Sequence, residues 1–358
     1  MAGRKKRTVL IAAAALLFIM MIVDVSIRKE ELLERFGEQF VHVSRTEAYE
    51  GALHGETAEV KQQLEVDRQG IEEVLLTGNG VNVSVQRAEG EEIRLEYVVK
   101  ISASTKEKAA AKLKLIEVRP ESTEGRLKFN AMLEGEPIHS DWVSVEYTLY
   151  LPDSLKLWVE NEGGAVRIQG IQGDVEVLLA RGMLEVLKVE GDVAVESSLG
   201  HVDVSGIAGD ITLNNDNGQT NAEQIQGSVK LDTSYDHTQI RQVKGRVNGE
   251  TQFGSIRVDD ILGPVSLHGN ETAIHASSIR GDLRVASNDG AVTLLVSDMT
   301  GYQLDAAATY GRILSHLPLA IVRDRAGDYT ERMQGIVGEG TWKADVKAES
   351  ADIIIQHR

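Results

Sequence analysis

The sequence predicts an all-β protein: a single-stranded parallel β-helix, or β-solenoid, of 18-residue coils, preceded by a β-rich N-terminal cap and one transmembrane helix. Three observations predict it. Two glycine series recur every 18 residues, apolar and polar residues alternate between them, and a fifteen-residue apolar run follows a basic N-terminus. A fixed period of this length outranks other signals, because a unit too small to bury its own face must stack on copies of itself.

The elements follow in chain order. Residues 1–7 hold the cluster Arg4, Lys5, Lys6 and Arg7 and read as a cytoplasmic tail under the positive-inside rule. Residues 8–27 contain the unbroken apolar run Val9 to Val23, and a helix of about 20 such residues crosses a bilayer. A secretory signal peptide opens in the same way, but no A-x-A cleavage site follows the run. The segment reads as an uncleaved signal anchor, with a cleaved signal peptide as the alternative. The lipid bilayer is therefore the first expected partner, through residues 8–27. Everything after Arg28 is expected on the extracytoplasmic side. Residues 28–58 read as a polar stalk.

Residues 59–163 read as the β-rich cap. Alternation marks strands near Ile71–Leu76, Val81–Gln86, Ile93–Ser102, Leu127–Leu133, Trp142–Leu151 and Leu155–Asn161. An alanine- and lysine-rich helix from Lys106 to Ile116 interrupts them, with Ser104 or Thr105 as its N-cap.

Residues 164–298 form the regular solenoid. Gly173, Gly191, Gly209, Gly227, Gly245, Gly263 and Gly281 are spaced by 18 without a slip. Gly164, Gly182, Gly200, Gly218, Gly254 and Gly290 share the period, with Asp236 and Thr272 in the two gaps. Each coil is thus two half-units, together reading roughly G-x-V-x-V-x-x-I-x-G-D-V-x-V. Alternation within a half-unit is that of a strand with one buried face, so Val202, Val204, Ile207, Ile211 and Leu213 are expected to point inward. The glycines fall at turns and are expected to supply positive φ. Thr220, Ala222, Thr238 and Gly249 replace larger inward residues, so the solenoid is expected to narrow around residues 218–250. After Leu294 the period slips, since Gly311 lies 21 residues past Gly290. Residues 299–358 are expected to finish the stack with irregular longer coils and a cap, ending in strands near Thr341–Ala348 and Asp352–Gln356.

Composition closes several doors. The chain of 358 residues has no cysteine, which excludes disulfides, thiolate nucleophiles, Cys-ligated metals and cysteine-linked lipid anchors. A net charge of −17 argues against nucleic acid as a partner, since that task needs clustered Lys and Arg.

The segment L-L-T-G-N-G-V-N-V-S-V at 75–85, Y-T-L-Y-L-P-D at 147–153, the repeated G-D-V-x-V and G-x-G-T-W-K-A-D-V at 338–346 carry a resemblance. Over about residues 70–358 the chain resembles the bacterial domain-of-unknown-function family 4097, an adhesin-like β-strand-repeat family. The resemblance implies a right-handed β-helix or roll on the bacterial envelope, with no established catalytic residues. No functional residue is carried over.

Candidate chemistry must compete with structural roles. Asp174, Asp192, Asp210 and Asp282 each follow a turn glycine and could form a calcium ladder. Calcium-binding rolls, however, read G-G-x-G-x-D-x-U-x, which no half-unit matches, and Ser228, Arg246 and Pro264 interrupt the column. Structural turns are the better reading. His201 and His237 share an outward position two coils apart, about 10 Å, too far to bind one metal together. The outward column Arg167, Glu185, Asp203, Asn221, Gln239, Arg257, His275, Thr293 is a mixed-charge ladder. Between Gly164 and Asp298 only Tyr235 and Phe253 are aromatic, and Trp142, Trp158 and Trp342 lie outside the regular coils. No catalytic, cofactor-binding or metal-ligating residue is assigned.

The sequence therefore reads as a non-enzymatic, membrane-anchored, extracytoplasmic β-solenoid of the bacterial cell envelope. It would act as an adhesin-like or scaffold surface, or as a regulatory partner, toward an envelope protein or wall polymer. A carbohydrate-active β-helix enzyme is the alternative, and a clustered acidic pocket in the N-terminal cap would favour it.

Overall fold

The computed structural model describes residues 56–138, 142–296, 301–323 and 329–357. The tail, the anchor at 8–27 and nearly all of the stalk lie outside the described residues. Among the described residues no helix is long and apolar enough to cross a membrane.

The described strands join in one continuous sheet that winds as a solenoid. Residues 18 apart are strand partners, always in parallel. On one face Val175, Val193, Ile211, Val229, Val247, Val265 and Leu283 stand in register. On the other face the column runs Val166, Leu184, Val202, Thr220, Thr238, Ile256, Ile274 and Val292. The inward set Val202, Val204, Ile207, Ile211 and Leu213 is buried, as alternation predicts. Each coil supplies a few aliphatics, and stacking at ~4.8 Å joins them into one core along the whole axis.

The turns correct the expectation about glycine. In the series from Gly173 to Gly281 only Gly173 has a positive φ, and in the second series Gly164 and Gly182 alone keep the expected one. The left-handed positions fall beside the glycines, on Asn217, Tyr235, Phe253, Glu271 and Asp289 at one corner. At another they fall on Lys188, Gly206, Gln224, Gln242, Asp260 and Ser278. An L-residue costs about 1–2 kcal/mol there, and stacking of identical turns holds it in place. Glycine is needed for a different reason. A Cβ on Gly245 would stand 2.4 Å from the carbonyl oxygen of Gly227 and 2.7 Å from the amide of Ser228, both backbone atoms that cannot swing away. Close approach of successive coils excludes a side chain.

Residues 218–250 keep a filled core. Leu231 and Leu267 lean into the space over Gly249, leaving a Cβ there only 2.9 Å from Leu267. Thr220 and Thr238 are buried and donate to Oδ2 of Asp236, at 2.7 and 3.1 Å, and Asn215 donates to the Thr220 hydroxyl at 3.0 Å. Asp236 is itself fully buried, so this stretch is a polar insertion in an apolar stack.

At the N-terminal end the register continues past the regular repeat. Glu73–Gly78 pairs with Lys156–Asn161, and Asn82–Arg87 pairs with Ala165–Gln169, both in parallel. The intervening residues fold over the end of the stack. Arg126–Leu133 and Val143–Leu151 lie parallel on the first coil, and the antiparallel strands Ile116–Thr123, Glu92–Ala103 and Glu56–Asp67 complete the cover. The helix Lys106–Leu113 starts where Thr105 accepts the Lys108 amide at 3.3 Å. It ends earlier than expected because Ile116 is already paired with Leu133. Glu56–Asp67 and Ile116–Thr123 are strands that the sequence pattern missed.

The C-terminal end breaks chain order. Trp342–Glu349 lies between Leu283–Asn288 and Tyr302–Thr309, and Ile353–His357 lies between Val292–Val296 and Ile313–Ser315. The last coil in sequence is therefore the last but one in space. This insertion explains the slip at Gly311, whose Cβ would meet Ala351 rather than Gly290. Thr330–Val337 then pairs antiparallel with Tyr302–Thr309, and Ile321–Arg323 adds an outer strand.

Candidate functional site

The residues singled out in the sequence are used up by the stack itself. Asp174 Oδ1 accepts the Asp192 amide at 2.9 Å, Asp192 Oδ1 accepts that of Asp210 at 2.8 Å, and Asp210 Oδ1 accepts that of Ser228 at 2.7 Å. Asp282 does the same for Lys343 at 2.9 Å, across the inserted coil. At each of these four positions a carboxylate satisfies a turn amide of the neighbouring coil, a structural role. Arg167 pairs with Glu185 at 3.2 Å, and Asn221 donates to Asp203 at 2.7 Å. His201 contacts Asp203 at 2.8 Å and His237 contacts Ser255 at 2.9 Å, so the two histidines do not meet. Trp142 and Trp158 are engaged by cations. Lys112 lies 4.2 Å from the ring centre of Trp142, and Lys156 and Arg126 lie 5.6 and 5.8 Å from that of Trp158.

The N-terminal cap carries an acidic cleft of about 590 Å³ lined by Glu65, Glu89, Glu91 and Glu92, all exposed, with Arg87 and Arg94, and a smaller cleft lined by Lys128, Asn130, Glu160 and Glu162 among others. Glu160 and Glu162 sit two residues apart at the end of one strand, and both are exposed. Glycoside cleavage needs one acid and one base made different by their surroundings, and burial makes no such difference here.

The candidate site lies at the opposite end, where sequence reasoning did not look. Pairing of Thr309 with Thr330 places Tyr310 and Tyr329 side by side at the open end of the antiparallel pair. The Tyr310 amide donates to the Tyr329 carbonyl at 3.1 Å, and the two threonine hydroxyls meet at 3.0 Å. The rings stack with centroids 5.7 Å apart, yet Tyr310 and Tyr329 remain 65% and 71% exposed. Both backbones are left-handed, an uncommon state for a bulky residue, held here by the paired strands. Around them Gly311, Arg312, Arg323, Thr330 and Glu331 complete a cleft of about 440 Å³.

Charge in the cleft is uneven. Glu331 is buried, accepts the Ile313 amide at 2.8 Å through Oε2 and holds Arg323 Nε at 2.6 Å through Oε1. Arg312 is exposed, and among the described residues no carboxylate stands within ion-pair distance of its guanidinium. One cation is therefore balanced and the other is not. Tyr310 occupies the left-handed turn position that Tyr235 and Phe253 occupy in the coils. That pair also stacks, at 4.8 Å, and the buried carboxylate of Asp236 follows Tyr235 directly in the chain.

The profile of the Toastrack DUF4097 family matches residues 71–356, most of the chain. This chain belongs to the Toastrack family. The match spans the N-terminal cap, the coils and the inserted C-terminal coil alike. No curated protein matches the sequence. Solved structures with some likeness include a candidate cell adhesion protein from Clostridium sporogenes, at 11% identity over 84% of this chain and 100% of that one, TM-score 0.24. A candidate adhesin from Parabacteroides merdae is 10% identical over 66% and 95% of the two chains, TM-score 0.35. Another from Bacteroides fragilis is 12% identical over 84% and 97%, TM-score 0.27. At these scores none bears on what this Toastrack protein binds. Its own geometry places two aromatic faces, two arginines and a buried carboxylate in one recess.

Proposed function

We propose that this Toastrack protein is a non-enzymatic, single-pass membrane protein of the bacterial envelope whose extracytoplasmic solenoid serves as an adhesin-like binding surface. The observation that carries this reading is the position of the tyrosine cleft. The chain enters the described structure at Glu56, in the N-terminal cap, and the cleft lies on the outermost coil at the other end. Ten strand-to-strand steps separate the first coil strand from Tyr302–Thr309, about 50 Å at the strand spacing. A stalk and anchor before Glu56 would hold the cap near the bilayer and present the cleft away from it. A rigid spacer suits this task, since each layer is fixed by its neighbours on both sides.

Topology and partner are tested together in native cells. Protease added to wall-stripped intact cells is expected to digest the solenoid, and the membrane-bound form is expected to retain residues 1–28. Crosslinking in intact cells should then recover wall polymer or external material. An N-terminus beginning near residues 24–30 would overturn the anchor, and recovery of membrane proteins alone would favour a regulatory role over adhesion.

A further inference from the structure

The cleft between Tyr310 and Tyr329 is chemically specific enough to name a ligand class. Each ring of the stacked pair keeps a face toward solvent, and the backbone bond from Tyr310 to Tyr329 fixes their spacing. Rings held in this way are preorganised, so a ligand laid on them does not have to immobilise two side chains. Beside them Arg312 has no carboxylate within ion-pair distance among the described residues, while Arg323 is committed to Glu331. Arg181, Arg246, Arg257, Arg284 and Arg332 are likewise exposed without an ion pair among the described residues, but of these unpaired arginines it is Arg312 that lines the tyrosine cleft. Arg312 offers paired N–H donors to an oxyanion.

From this combination the geometry points to a saccharide bearing a negative charge, as carboxylate or phosphate, as the ligand of this cleft. The C–H face of the sugar ring lies on a tyrosine, where the apolar side is covered and the hydroxyl edge stays wet. The anionic group takes Arg312. Ring hydroxyls meet the rim formed by Arg323 and the phenol groups. The volume of about 440 Å³ suits one or two sugar rings and falls in the range of small-molecule sites. A neutral sugar would leave Arg312 unused. This inference rests on the reading of the protein as a binding surface, and it adds the chemistry of what is bound.

The test is calorimetric titration of the full chain in mild detergent with digalacturonic acid, glucose 6-phosphate and, as the neutral control, maltose. At least one anionic probe is expected to bind, with maltose weaker by about tenfold or more. Arg312→Gln and Tyr329→Ala are each expected to weaken the anionic probe by about tenfold, with melting temperatures unchanged because both side chains are exposed. Equal binding of maltose and the anionic probes would overturn the inference, and so would anionic binding that neither substitution affects. Absence of anionic binding at about 10 mM would also overturn it. If that absence accompanied persistent crosslinking to external material, the saccharide chemistry would fall while the adhesion reading stood.

Discussion

In the regular coils each residue meets its own counterpart: Val202 lies between Leu184 and Thr220, and Asp203 lies between Glu185 and Asn221. In the C-terminal cap residues meet strangers, as Leu304 does with Ala344 on one side and Gly335 on the other. The first arrangement multiplies one solution. A single turn carboxylate, one glycine contact and one inward aliphatic set are reused coil after coil. The second arrangement juxtaposes unlike groups, and there stacked aromatics, two arginines and a buried carboxylate share a recess. Repetition builds a rigid rod efficiently, but like stacked on like makes ladders rather than pockets. A binding site with mixed chemistry arises where the repeat is broken.

The sharpest way to break this contrast is to disturb the core column of a coil. Val204→Asp buries a carboxylate with no partner and is expected to cost at least about 3 kcal/mol in denaturant unfolding. Asp203→Ala removes half-buried surface bonds to His201 and Asn221 and should cost about 1 kcal/mol or less. Similar losses at both positions would refute the inward–outward assignment.

Next in size is the glycine ladder. Gly245→Ala drives a Cβ into the backbone of Gly227 and Ser228 and is expected to cost about 2 kcal/mol. Gly90→Ala, at a turn of the N-terminal cap with open space around it, should change stability by less than about 0.5 kcal/mol. Equal effects would mean that glycine serves turn conformation generally and not close approach.

Smaller again is the aspartate ladder. Asp192→Ala orphans the Asp210 amide and should cost about 1 kcal/mol. Because these carboxylates are spent on amides, adding millimolar calcium to chelated protein should leave the melting temperature unchanged. A rise of more than about 5 °C would show that the column binds the ion.

The smallest effect concerns His275. Partial burial, then Arg257, lower its pKa, with Asp259 opposing them. The unfolded chain therefore takes up this proton at higher pH than the folded one, so stability falls as pH drops through about 6.5. His275→Gln should flatten that part of the pH–stability curve, and an unchanged slope would place the acid sensitivity elsewhere.

The sequence revealed the coils because two independent periods, 18 and 2, agree on which residues point inward. It located the glycine columns while misassigning their cause. Spacing marks where coils approach, but φ depends on neighbours such as Gln224 and Phe253, which carry no glycine signature. The polar filling around Asp236 was visible only as a lapse in the aliphatic pattern, without the hydrogen bonds that join Thr220, Thr238 and Asp236. The cleft was not legible. It depends on an antiparallel register across 302–309 and 330–337 and on a coil inserted out of chain order, neither of which a local pattern records. Once that register is known, the placement of Tyr310 beside Tyr329 follows directly.

The two stacked aromatic pairs allow the central claim to be measured. Full-length protein is incubated with isolated cell-wall material, sedimented and quantified for three forms: the native chain, Tyr310→Ala with Tyr329→Ala, and Tyr235→Ala with Phe253→Ala. All four side chains are exposed, so all three forms should fold alike. If the broken repeat carries binding, the cap pair should reduce the bound fraction by about tenfold, while the coil pair should leave it within about twofold. Equal losses, or a loss confined to Tyr235 and Phe253, would show that the regular coils form the binding surface.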